Sequence, residues 1–252
     1  MKSLIRSLAT FGLIGATALG SWVIQGAKVL GLPADVVISK LQPVPVFTVA
    51  DAQGAPLVAA GENNLKVAGV FISQKDANDF IARLKQENPD LGKQVQVVPI
   101  SLGQVYQLNL EGKGKADAIS FAYVPITSEV EQAKKIAQDN KQEYIGGVPL
   151  FVAKAGQEQG YLTIKQNDSE VIPFFFEKSQ VQNLIERFKQ EQPSLASSIT
   201  IDVVPLEGVL SALETENDEM LKKIMIWPSQ ESLELIRKAV QSQGTPNQGT
   251  QK

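Results

Sequence analysis

Catalysis needs side chains that attack, shuttle protons or hold metal, and this chain carries a reduced set of them. Its 252 residues include no His and no Cys. Imidazole bases, Ser-His-Asp triads, thiolate nucleophiles, Cys-ligated zinc, iron–sulfur clusters and disulfides are therefore all excluded. Carboxylates remain for acid–base work, but no spacing singles out one pair among the 27 Asp and Glu. Glu214, Glu216, Asp218 and Glu219 form an acidic cluster. It lacks the ligand spacing and central Gly of a calcium loop and reads as a solvated run. Gly112-Lys113-Gly114-Lys115 lacks the upstream Gly and downstream Ser/Thr of a phosphate loop, so it reads as a basic loop between elements. Asn167-Asp168-Ser169 fits a glycosylation sequon, which carries weight only in a eukaryotic secretory context. No catalytic residue, cofactor or metal site is expected.

The elements that would position any site come from an ordinary globular composition. Apolar residues make up 43% and charged residues 20%, enough for a sizeable core. At about 150 residues per domain the length lies between one domain and two. A net charge of −3 is too balanced for a nucleic-acid binder.

Residues 1–20 read as an export signal. Lys2 and Arg6 form a positive n-region, Leu8 to Leu19 an apolar h-region, and Ala18 and Gly20 a small-residue cleavage site before Ser21. The alternative is a kept anchor, with the apolar run extended through Trp22, Val23 and Ile24 to the short limit for a span. Cleavage would remove both cations and take the mature charge to −5, with 22 basic residues against 27 acidic ones. No later stretch is apolar for long enough to span a bilayer, so a soluble, exported body is expected.

The chain also repeats itself. IARLKQENP at 81–89 matches IERFKQEQP at 185–193, an offset of 104 residues. That offset also pairs Pro45-Val46-Phe47 with Pro149-Leu150-Phe151, and Val70-Phe71-Ile72 with Phe174-Phe175-Phe176. Gly103 pairs with Gly208, and Val124-Pro125 with Trp227-Pro228, at nearly the same spacing. A domain-sized period means a duplicated lobe and not a solenoid. The expected organisation is a signal at 1–20, a lead-in at 21–43, lobes at 44–147 and 148–242, and a disordered polar tail at 243–252.

Within each lobe the periodicity predicts an α/β (α+β) unit, a small sheet with packed helices, the two related by a pseudo-twofold axis. Val44–Val49 and Pro56–Ala60 read as strands around a turn at 51–54, and Val67–Ile72 as a strand covered on both faces. Ser73 caps a helix whose apolar positions are Ala77, Phe80, Ile81 and Leu84, matched by Val181, Leu184, Ile185 and Phe188. Phe80 and Leu184, and likewise Leu84 and Phe188, are expected in equivalent buried positions. Val95–Ile100 and Ile119–Ile126 read as strands, with a short helix or turn at Gln104–Leu108. Ser128 with Glu131 suggests a capping box for the next helix, and Ser229 opens the last one, with Leu233, Ile236 and Val240 as its apolar face.

Phe174-Phe175-Phe176 places large rings on both faces of one strand. Such rings are either core on both sides or one wall of a groove for apolar client segments. The candidate groove residues are Phe47, Val70, Phe71, Phe151, Phe174, Phe175 and Phe176.

PVFTVADAQGAPLVA at 45–59, GVFISQKDANDFIARLKQENPDLG at 69–92 and VQVVPISLGQVYQL at 95–108 together resemble one family. It is that of the twenty-two-kilodalton subunit of the translocon at the inner chloroplast envelope, and the chain is more similar to its cyanobacterial members. The resemblance implies a duplicated α/β fold with hydrophobic surface pockets and no catalytic residues. It further implies a periplasmic, chaperone-like factor for protein transport and outer-membrane biogenesis. Its partners would be unfolded or outer-membrane precursors and the outer-membrane barrel-assembly protein, with room for peripheral membrane contact and none for nucleic acid. A bacterial periplasm is the expected compartment, with the thylakoid lumen as the alternative. The N-terminal segment is too short, and too poor in Ser and Arg, for a chloroplast transit peptide. Two other functions stay open: a secreted carboxylate-only hydrolase, and a scaffold with one fixed protein partner. A polar cleft with facing carboxylates would favour the hydrolase, and shallow apolar grooves the carrier.

Overall fold

In the computed structural model, which describes residues 12–14, 31–61, 65–115 and 117–243, the chain builds two mixed sheets flanked by helices. The first contains β2 (Pro45–Asp51), β3 (Val58–Ala60), β4 (Lys66–Phe71), β5 (Val95–Ser101) and β6 (Ile119–Val124). The second contains β1 (Gly12–Ile14), β7 (Pro149–Ala155), β8 (Gly160–Gln166), β9 (Ser169–Phe175), β10 (Thr200–Pro205) and β11 (Ile224–Trp227). The turn after β2 forms because the Asp51 carboxylate accepts from the Gln53 and Ala55 amides at 2.9 and 2.8 Å. That is the local hydrogen bonding which makes Asp a turn residue.

Four strands of each sheet pair in the same way. β2 is antiparallel to β4 and β5, and β4 is parallel to β6. In the second sheet β7 is antiparallel to β9 and β10, and β9 is parallel to β11. Phe47 faces Phe71 and Pro45 faces Ser101; Phe151 faces Phe175 and Pro149 faces Pro205. All four residues shift by 104 positions between the sheets. A slip of one residue would turn each strand inside out, so shared register means shared inner and outer faces.

The inner faces meet in one central core. Val46, Val70 and Ile72 of the first lobe join Leu150, Val152, Ile172, Phe174 and Phe176 of the second. Helices α1 (Ala34–Leu41), α4 (Leu102–Gly112) and α7 (Leu206–Thr215) contribute Val37, Leu41, Val105, Tyr106, Val209 and Leu213 to the same cluster. The end of the lead-in segment docks through Val37 and Leu41, while Val36 stays exposed. Helix α4 runs longer than the turn expected at 104–108. It starts from a capping box at Ser101 and Gln104 that satisfies three amides, including that of Ser101 itself.

Outer faces carry separate clusters. α2 (Gln74–Glu87) covers the first sheet, with α3 (Pro89–Gln94) beside it, and α6 (Lys178–Glu191) covers the second. The two long helices are not equally buried, contrary to expectation. Leu184 and Phe188 lie in the core, whereas Phe80 and Leu84 are only partly covered. Leu195, from a 3₁₀ segment at Pro193–Ser198, packs on the second cluster and extends its cover.

Two helices cross to the opposite lobe. α5 (Thr127–Asp139) follows β6 of the first sheet, yet its Ala133 and Ile136 pack with Phe151 and Phe175 of the second. α8 (Gln230–Gln243) follows β11 of the second sheet, yet its Leu235 packs on Phe47, Phe71 and Ile81 of the first. α8 opens at Ser229, as expected, with the Ser229 hydroxyl accepting from the Ser232 amide at 3.2 Å. Its sheet-facing position is Leu235, while Ile236 and Val240 stand in solvent. The expected Ser128 capping box does not form. The cap position falls two residues earlier, at Ile126, and the Asp76 carboxylate accepts from both the amide and the hydroxyl of Thr127. Most of the expected export signal, 1–11 and 15–20, and the tail beyond 243 lie outside the described residues; Gly12–Ile14 pairs antiparallel with β8.

Candidate functional site

A mostly apolar cavity of about 510 Å³ opens between the inner face of the second sheet and α7. Ile172 and Phe174 of β9 and Val204 of β10 form its floor, and Val209 and Ala212 of α7 one wall. Met220, Leu221 and Ile224 close the far side. They belong to a 3₁₀ turn at Glu219–Lys223, held open-ended by the Asp218 carboxylate accepting from the Met220 amide at 2.8 Å, and to the start of β11. Its size is that of an ordinary small-ligand or side-chain pocket.

Charged residues border the cavity at Lys154, Glu216 and Asp218. The Lys154 ammonium pairs with Asp202 and stands 4.9 Å from the centroid of the Tyr161 ring. Burial pulls its pKa down, but the hydrogen bond to Asp202 and the charges around it outweigh burial and raise it. The cation therefore stays charged and fixed, leaving the walls for apolar contact.

The lobes differ here because of α1. In the first lobe α1 packs against the start of α4, where a Cβ on Gly103 would meet the Ile38 carbonyl at 2.7 Å. The equivalent Gly208 of α7 lines the cavity, and a Cβ there would meet only its own Pro205. A helix fills the space on one side of the repeat and leaves it open on the other.

Of the residues predicted for a groove, Phe174 alone reaches this cavity, and it does so as a buried wall. Phe47, Val70, Phe71, Phe151, Phe175 and Phe176 are core residues, none more than 6% exposed. The physical reason is that both sheets are covered on both faces. Val70 and Phe176 point into the central core, and Phe47, Phe71, Phe151 and Phe175 lie under outer helices. The real lining escapes a sequence reading because Met220 and Leu221 fall in a short 3₁₀ turn and Ile224 opens a strand of four residues, both too short for periodicity to flag.

A second cavity of about 520 Å³ lies where α4 and β6 of the first lobe meet α7 of the second. It gathers the two charged motifs that look unrelated in sequence. Lys113 of the basic loop pairs with Glu214 of the acidic cluster at 3.2 Å, and Lys115 stands on the same rim. Burial, reinforced by Glu214, pushes the Tyr106 hydroxyl up to about 12. Burial, reinforced by Glu207, does the same to Tyr123. Both hydroxyls thus remain donors at any ordinary pH. Glu207 and Glu214 sit two turns apart on one helix and point the same way. Each is engaged, Glu207 by the Val148 amide and Glu214 by Tyr106 and Lys113. They brace the lobe junction and do not form an opposed acid–base pair. Among the described residues no group of three or more acidic side chains is placed to hold a metal ion.

Comparison with known proteins places this fold. The chain resembles the chloroplastic protein TIC 22 of Pisum sativum at 25% identity over 67% of this chain and 62% of that one. A TIC 22-like protein of Arabidopsis thaliana matches at 24% over 85% of this chain and 66% of its own length. The chain thus spans a little under two thirds of the plant proteins' length. The solved structure of Tic22 from Anabaena, a protein-transport protein, superposes with a TM-score of 0.72 at 28% identity, covering 82% of this chain and 97% of that one. Tic22 from Plasmodium falciparum shares the fold, with a TM-score of 0.65 at 22% identity over 83% and 99% of the two chains. The model of the Tic22-like family matches residues 3–238, essentially the whole of both lobes, and the chain belongs to that family.

Proposed function

We propose that this protein is a non-enzymatic carrier in protein transport, which holds apolar segments of precursors in the periplasm on their way to the outer membrane. The observation behind this reading is the apolar cavity on the second lobe, walled by the partly buried Val204, Ala212, Met220 and Ile224. An unfolded barrel strand presents apolar side chains at alternate positions. Each one buried contributes on the order of 1–2 kcal/mol before ordering costs, so a few shallow contacts give reversible, roughly micromolar binding. That suits a carrier whose client leaves once a more stable folded state is available. No energy source is needed. Family membership and the protein-transport role of the Anabaena relative point the same way.

The test is the combined variant Val204→Ser, Met220→Ser, Ile224→Ser. It should keep the circular dichroism of the parent and lose most of its ability to suppress aggregation of an unfolded outer-membrane barrel protein. Undiminished suppression by the folded variant would leave a scaffold with a fixed partner as the better reading.

The compartment is tested separately. Residues 1–30 fused to a reporter should deliver it to the periplasm, with the natural chain recovered in the soluble fraction. Recovery of the whole chain in a carbonate-resistant membrane pellet would identify a kept anchor. Within the described residues no helix is long and apolar enough to cross a membrane.

A further inference from the structure

Strand β8 is bordered on both sides. Towards the interior of the sheet its Tyr161 pairs with Lys154 of β7. Along its outer edge Gly12–Ile14 runs antiparallel, with Gly12 opposite Thr163, Leu13 opposite Leu162 and Ile14 opposite Tyr161.

The internal repeat marks this outer strand as an addition. The offset of 104 residues relates Val58 and Ala59 of β3 to Leu162 and Thr163 of β8. Each strand is antiparallel to the next in the chain, β3 to β4 and β8 to β9. Among the described residues no strand pairs with the outer edge of β3, and Val58 and Ala59 are exposed. Leu162 and Thr163 are fully buried. The first sheet forms without a counterpart of β1, so the shared architecture does not require one.

The seat on β8 is also imperfectly filled. Thr163 has no exposed surface, and its Oγ1 has no hydrogen-bond partner. The residue opposite is Gly12, which has no side-chain donor or acceptor to offer. An unsatisfied buried hydroxyl is a cost that a segment with a polar residue at that position avoids. Residues 12–14 lie within the apolar stretch of the expected export signal, and cleavage before Ser21 would remove them. An open strand edge is a template for another extended chain. This edge also adjoins the apolar cavity. Tyr161, opposite Ile14, lines that cavity, with its ring 6.1 Å from the ring of Phe174.

We propose that the outer edge of β8 is a strand-addition site for extended apolar segments of a precursor, with residues 12–14 of this chain as the resident stand-in. The identity of the client rests on the carrier reading; the mode of binding does not. Main-chain pairing supplies affinity that is indifferent to client sequence. The cavity beside it takes side chains from one face of the added strand.

The probe is a labelled peptide copying residues 8–17, titrated against the full chain and against the full chain carrying Leu13→Pro. Proline has a fixed φ and no amide hydrogen, so the substitution unseats the chain's own strand. The variant should bind the peptide on the order of tenfold more tightly, because the parent's tethered strand competes at high effective concentration. Gly12→Pro gives an independent release should Leu13→Pro lose the circular dichroism of the parent. Antiparallel pairing uses every second amide of an added strand. N-methylation of the peptide at Leu13 should therefore differ from N-methylation at Gly12 and Ile14: one should weaken binding about tenfold or more, and the other should spare it. Amide exchange at Tyr161–Thr163 of the proline variant should slow when the unmodified peptide binds. Equal effects of the two methylation patterns would overturn strand addition. So would an affinity unchanged by release of the chain's own strand. The carrier reading falls instead on the aggregation assay with the cavity variant, so either can fail alone.

Discussion

Replacing Phe151 with Ala should destabilise the protein by about 3–5 kcal/mol, the cost of removing a fully buried ring and leaving a cavity. Phe151 has no exposed surface, faces Phe175 across β7 and β9, and lies among Phe188, Ile185 and Ile136. The last of these comes from the crossing helix α5, so the cavity would loosen the lobe contact as well as the outer layer. In a chain of this size each kcal/mol lowers the melting temperature by about 2–4 °C, so a drop of about 6–20 °C is expected in a calorimetric scan. A loss below about 1 kcal/mol would mean that the second outer cluster is not a packed core.

Gly103→Ala should cost about 1–3 kcal/mol by overpacking. The new methyl would lie 2.7 Å from the Ile38 carbonyl, 2.8 Å from the Gln42 side-chain oxygen and 2.9 Å from the Gln42 amide nitrogen. All three belong to α1 or the residue that ends it, and α1 is wedged between α4 and the rest of the core. At the repeat-related Gly208 the nearest atom to a new Cβ is the Pro205 ring at 3.2 Å. Gly208→Ala is therefore expected to be neutral, or mildly stabilising through helix propensity. Parallel denaturant titrations would compare the two, and equal losses would show that α1 does not distinguish the lobes.

The contrast between these glycines shows where the sequence was readable and where it was not. A repeat at fixed offset carries strand order and register, because each strand must keep the same alternation to bury the same face. Phe47 and Phe71, and Phe151 and Phe175, are opposed for that reason. Helix α2 was legible from Ser73, whose hydroxyl does accept from the Asp76 amide at 3.2 Å. What stayed hidden depends on which lobe a helix joins. Ala133, Ile136 and Leu235 have the spacing of any amphipathic helix, and periodicity does not say which sheet receives them. Thr127 carries no local sign of a helix start, because its capping carboxylate, Asp76, comes from 51 residues earlier. The cavity escaped for a similar reason. It exists where the second lobe lacks a counterpart of α1, and an element that is missing leaves no motif.

The crossing of α5 and α8 also sets the order in which the chain can finish folding. Glu231 bonds the Gln74 amide across 157 residues, and Ser232 bonds the Pro45 carbonyl across 187. A chain emerging from the ribosome, N-terminus first, therefore makes every strand of the first sheet long before the helix that seals it is available. Until then, Phe47 and Phe71 wait beside α2 with one flank open. Such distant contacts pay their loop-closure entropy late, which slows the final step and prolongs exposure of sticky surface. Each sheet is covered by a helix from the other half of the chain, so chains cut between α5 and β7 should regain full structure only when both fragments are present.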